Sequence, residues 1–145
     1  MKRSRFFLGV GGALLVILLS VIVWAVATGN LGRPILWQFT PGYRGWVVVE
    51  YENPACPPLV TEGVYLVIRV PASGRACTSS PIPVGWRYGR YEYVFEDGRR
   101  RVIPSSGWDS NSEITLLSVN FEKKLEFLFV GTKQALKESW KNLPH

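Results

Sequence analysis

The chain has 145 residues, which allows one ordinary domain and excludes two. Its net charge is +6, but beyond residue 32 the 14 Lys and Arg stand against 11 Asp and Glu. The resulting +3 excludes a nucleic-acid footprint. Two cysteines and one histidine, His145 at the very end, cannot complete a zinc site of four protein ligands, and no cofactor is expected.

Residues 1–5 carry Lys2, Arg3 and Arg5 and form a basic cytoplasmic flank. Residues 6–27 hold no charge. Their 22 positions meet the roughly 20 needed for a helix to cross the hydrocarbon core, so the segment reads as a transmembrane helix. Gly9, Gly11 and Gly12 weaken its start. The positive side stays cytoplasmic, which makes the remainder an extracytoplasmic domain of a single-pass protein. Trp24 and Trp37 are expected near the outer boundary, where indole rings favour the headgroups. Ala25-Val26-Ala27 supports a different outcome, a signal peptide cut at that triplet and a secreted product. No cysteine follows the segment closely, which argues against lipid modification.

Residues 28–44, with Gly29, Gly32, Pro34, Pro41 and Gly42, read as a tether. The domain is then placed at 45–145, β-rich and mainly antiparallel because its connections are short, as a small sandwich or barrel with one C-terminal helix. Six strands are expected, over residues 46–51, 64–70, 88–95, 99–103, 114–121 and 125–130. Asp97-Gly98 marks a hairpin. In the third strand Tyr91, Tyr93 and Phe95 share one face, and Arg90 and Glu92 the other. Thr132 can cap a helix over 133–142, whose stripe of Leu136, Trp140 and Leu143 should pack on the sheet. Lys133, Lys137 and Lys141 form a second stripe.

An oxidising compartment favours pairing Cys56 with Cys77. Catalytic chemistry is hard to place. His145 sits where chains fray, so no serine or cysteine nucleophile has a base. Glu50 and Glu52 lie two apart on one strand face and could work as paired carboxylates, although a solvent face reads the same way. Between the strands, Ser73, Arg75 and Thr78 lie in a loop of small residues and hydroxyls that could cradle an anion. The alternative there is a disulfide-pinned connection. Arg90 and Arg99 belong to an arginine and tyrosine cluster with Arg87, Arg100 and Arg101, suited to an acidic glycan or simply to cross-strand ion pairs.

Several stretches resemble an uncharacterised bacterial domain family of unknown function, found in small exported or membrane-anchored β-rich proteins. They are Gly45-Trp46-Val47-Val48-Val49-Glu50-Tyr51, Pro54-Ala55-Cys56-Pro57-Pro58-Leu59, and Pro71-Ala72-Ser73-Gly74-Arg75 with Cys77-Thr78-Ser79-Ser80. Arg90-Tyr91 with Tyr93-Val94, Asp97-Gly98 and Phe129-Val130-Gly131-Thr132 extend the similarity over residues 45–132. The resemblance implies export and one domain, and no activity. The expected function is a membrane-anchored, non-catalytic binding or interaction domain, with the membrane itself and an envelope protein or glycan as partners. A small cell-envelope hydrolase using carboxylates is the first alternative. An accessory subunit of a membrane complex, with Gly9 and Ala13 as a helix contact, is the second.

Overall fold

The computed structural model describes residues 15–24, 32–85, 87–105 and 113–142. Residues 1–5, the Ala25-Val26-Ala27 triplet, Gly9, Ala13, Leu143 and His145 lie outside them. The chain divides into two units, residues 1–32 with 84–87, and residues 33–83 with 88–145.

In the first unit, residues 15–24 form helix α1. Its Leu, Val, Ile and Trp side chains are all exposed, from 49% at Ile22 to 65% at Leu18 and Val23. Ser20, its one polar residue, turns its hydroxyl back to the Val16 carbonyl at 2.8 Å. Among the described residues no helix is long and apolar enough to cross a membrane.

The described residues of the second unit contain nine strands: β1 (Ile35–Phe39), β2 (Gly45–Glu50), β3 (Val60–Glu62), β4 (Tyr65–Val70), β5 (Arg75–Cys77), β6 (Gly89–Val94), β7 (Arg100–Val102), β8 (Ile114–Asn120) and β9 (Leu125–Val130). They form a five-stranded sheet in the order β3-β4-β1-β6-β7 and a four-stranded sheet in the order β5-β2-β9-β8. One hydrophobic cluster draws on both, with Ile35, Trp37, Phe39 and Ile68 from the first and Val47, Val49, Leu128 and Val130 from the second. The architecture is therefore a sandwich rather than a barrel, and its sheets are mixed. Strand β1 runs parallel to both β4 and β6, and β2 parallel to β5.

Short connections imply antiparallel neighbours only when both strands stay in one sheet. Here the turn after β1, closed by Tyr43 N–H to the Thr40 carbonyl at 3.1 Å, carries the chain into the opposite sheet. The link from β4 to β5 does the same. Its tight corner is Gly74, at φ +74°, where a Cβ would meet the Tyr43 hydroxyl and the Trp46 carbonyl oxygen. Those two groups hydrogen-bond each other, and burial raises the Tyr43 pKa.

The tether expected at 28–44 is overturned from Arg33 onward. Strand β1 lies within it, and all five of its residues are buried. Trp37, expected at a membrane boundary, is 2% exposed. Its ring lies 6.5 Å from Phe39 and 6.2 Å from Tyr91. A strand paired parallel on both sides and covered on both faces shows a continuous apolar run, not alternation. Ile35-Leu36-Trp37-Gln38-Phe39 between two prolines is such a run, broken only by the buried Gln38.

Elsewhere the read strands match to within a residue or two, and β3 and β5 are additional. A bulge between Leu116 and Ser118 breaks the alternation expected along β8. The C-terminal helix is α2 (Lys133–Ser139) followed by a 3-10 turn (Trp140–Asn142), capped as expected by Thr132 Oγ1 accepting from Ala135 N–H at 3.2 Å. None of its residues is buried. Its contact with the four-stranded sheet runs through Trp46, whose ring lies 6.3 Å from Trp140 and whose Nε1 donates to the Ser139 carbonyl.

A charged concave sheet face and a disulfide-lined cleft

Cys56 and Cys77 are joined, with Cα atoms 5.8 Å apart. The disulfide ties the end of β5 to the 53–58 turn. Next to it, Val48, Glu50, Arg75, Ala76, Cys77 and Leu125 line an open cleft of about 240 Å³. Arg75 and Glu50 make no ion pair among the described residues. Glu52, by contrast, is paired with Lys124 at 3.2 Å, so Glu50 is the one carboxylate in the cleft lining.

The other loop candidates have structural roles. Ser73 Oγ accepts from the Arg75 backbone N–H at 3.4 Å. Thr78 is 1% exposed. Its hydroxyl donates to the Pro57 carbonyl at 2.9 Å and accepts from Ser80 N–H at 3.1 Å. Arg99 is held at the hairpin tip by Asp97 at 2.5 Å and covers the Phe95 ring. It lines a shallow depression with Pro41, Phe95, Glu96 and Asp97. The structure therefore does not gather the five candidates into one site.

Arg90 leads to a different constellation. Ile35, Trp37 and Phe39 point into the core, so Leu36 and Gln38 face the opposite way. In-register neighbours share that face: Val67 and Arg69 on β4, Arg90 and Glu92 on β6. By the same alternation Glu62 on β3 and Arg100 on β7 join them. Strands β3 and β7 are the two edges of the sheet. A flat sheet would hold them about 19 Å apart, yet Arg100 Nη1 lies 2.5 Å from Glu62 Oε1. The sheet must curl, which makes this face concave and lets two edge side chains clasp across it.

The floor beneath the clasp is polar and buried. Glu92 is 1% exposed and Gln38 is 7% exposed. Glu92 is neutralised by Arg100 at 3.1 Å and Arg90 at 3.5 Å. Arg69 Nε donates to the Gln38 amide oxygen at 3.3 Å. The second buried carboxylate, Glu126, lies in the core and accepts from the Tyr51 hydroxyl at 2.5 Å. Sequence reasoning missed Gln38, Glu62 and Arg69 as residues that share a sheet face with Arg90. Their meeting depends on the strand order, and β1 and β3 were not read.

Arg100 holds the Glu62 carboxyl below the usual carboxylate value, chiefly by its hydrogen bond. Glu62 correspondingly keeps Arg100 charged to higher pH. With its folded pKa depressed, Glu62 stabilises the fold above the ordinary carboxylate value and loses that contribution as pH falls through the lowered folded value. The effect is modest because the pair is exposed. Thermal melts from neutral pH to about pH 3 should show a shallower acid loss in Glu62→Gln than in the wild type. Parallel curves would show that the clasp does not hold the sheet.

Residues 40–138 match the profile of a family of unknown function, DUF6843. The chain belongs to that family. The matched span contains both the cleft and most of the concave face, and the motifs of residues 45–132 fall inside it. No curated protein sequence matches at a significant level. Among solved structures, a 2.75 Å crystal structure of a Bacillus anthracis protein, provisionally described as a lipoprotein, superposes with a TM-score of 0.58. It is 24% identical, over 74% of this chain and 76% of that one. At that identity the likeness establishes the fold of the family domain.

Proposed function

We propose that this protein is a membrane-anchored, extracytoplasmic, non-catalytic binding domain, with the concave arginine face as its binding surface. The observation that carries the reading is helix α1, whose Leu, Val and Ile residues are exposed all round. A helix apolar on every side belongs in a core or a bilayer, and the uncharged sequence around it is long enough to span. The disulfide fits an oxidising compartment. The Bacillus anthracis relative by fold is provisionally described as a lipoprotein, a description that fits a membrane-associated domain. A carboxylate hydrolase needs two carboxyl groups facing each other about 5–10 Å apart. Glu50 is the one carboxylate in the cleft lining, and Glu92 is already bound by two arginines.

Fractionation of cells making the full chain provides the test. The protein should sediment with membranes, resist alkaline carbonate, and expose its domain to protease added outside. Leu18→Asp combined with Val21→Lys should release it from the membrane fraction. Recovery of the wild type in the soluble cytoplasmic fraction would refute the anchor. A mature protein beginning just after Ala27 would replace the anchor with secretion.

A further inference from the structure

We infer that the concave face of the five-stranded sheet is a site for a compact oxyanion, a carboxylate or phosphate group, with Arg69 and Arg100 as its ligands and Glu62 as a built-in competitor. The inference rests on the binding reading above and specifies what that surface takes.

The charges on the face do not balance. Arg69, Arg90 and Arg100 stand against Glu62 and Glu92. Among the described residues Arg69 has a neutral amide as its only hydrogen-bond partner. Among the described residues Arg69 therefore has no carboxylate in direct ion-pair contact, and a guanidinium presents a rigid fork of donors that fits carboxylate and phosphate oxygens. The floor fixes the donors beforehand. Buried Glu92 anchors Arg100 from below, and buried Gln38 anchors Arg69.

Glu62 shows the chemistry that the site accepts. Its carboxylate lies on Arg100, and Arg69 and Gln38 stand near enough to favour its charged form. A protein carboxylate thus occupies the place that a ligand's oxyanion would take. The occupation is replaceable, since the Glu62 and Arg100 side chains are each 42% exposed and exposed pairs are weak. An incoming anion can displace Glu62 from Arg100 while Arg69 supplies the second cation. A clasp with only a structural role needs no unneutralised arginine beside it.

The test titrates the full chain, in a neutral, phosphate-free detergent, with sodium phosphate and separately with sodium acetate. Ionic strength is held constant with chloride, and binding is followed by calorimetry and by the arginine Nε–H resonances. Saturable binding is expected, weakened about tenfold in Arg69→Gln and less in Arg69→Lys. Glu62→Gln should tighten binding roughly two- to fivefold, because the competitor is gone. A stronger response to phosphate assigns the site to phosphate groups, and an equal or stronger response to acetate assigns it to carboxylates. A response no different from chloride, or a Glu62→Gln variant that binds no tighter, would overturn the proposal. Because binding is read in micelles, a protein that binds phosphate yet fractionates as soluble refutes the anchor and leaves the site standing.

Discussion

Trp37→Ala is expected to lower the unfolding free energy by about 3–5 kcal/mol, the range for removing a large aromatic from a packed core. Trp37 is 2% exposed on the central strand of its sheet, in register with Ile68 on one side and Tyr91 on the other. Its ring also packs near Phe39. Deleting it leaves a void that a strand fixed on both edges cannot collapse to fill. Denaturant unfolding should show a lower midpoint with an unchanged slope. Trp140 supplies the contrast. It is 56% exposed, and Trp140→Ala should cost less than about 1 kcal/mol. If the two variants lost equal stability, the placement of Trp37 in the core would be wrong.

Loss of the Cys56–Cys77 link is the second large effect. The bond closes a segment with a sequence separation of 21, for which chain entropy gives about 3 kcal/mol. In a domain of this size that corresponds to a fall in Tm of roughly 12–20 °C. The double variant Cys56→Ser with Cys77→Ser, and the wild type melted with reductant, should agree, since both act by freeing the same loop. A reduced protein that melted at the oxidised temperature would mean that the pairing of β5 with β2 holds without the link. The loss should also be local. Residues 75–77 form an edge strand bonded only to β2 within its sheet, so hydrogen exchange there should rise first.

The strands legible in the sequence are the longer runs of β-branched and aromatic residues bounded by turn residues. Strand β9 was read with its observed bounds, and the Thr132 cap and the disulfide were legible from local chemistry. Strand β1 was not, because burial on both faces erased the alternation and two flanking prolines suggested a linker. Strands β3 and β5 were too short to show a period. The candidate site suffered more. Arg90 is visible as part of a basic cluster, but Gln38, Arg69 and Glu62, which share its sheet face, lie on strands that come together only through crossovers between sheets. The period places Glu92 beside Arg90 on the face opposite the tyrosines, but nothing in the sequence shows that the sheet curls over that face and buries it. Thr78 follows the plainer of its two readings, a hydroxyl of a disulfide-pinned connection that bonds to the Pro57 carbonyl and Ser80 N–H.

The place of β1 in its sheet also has a consequence for how the chain folds. Ile35 pairs with Gly89 and Phe39 with Tyr93, so the earliest strand waits for one some 54 positions later. At about 5–20 residues per second of synthesis that delay is roughly 3–11 s. Through that interval an apolar strand with an unpaired edge is the first part of the domain to emerge. Such non-local pairing slows folding and exposes the nascent chain to aggregation. The domain's yield in cells should therefore depend on holding chaperones more strongly than its final stability suggests.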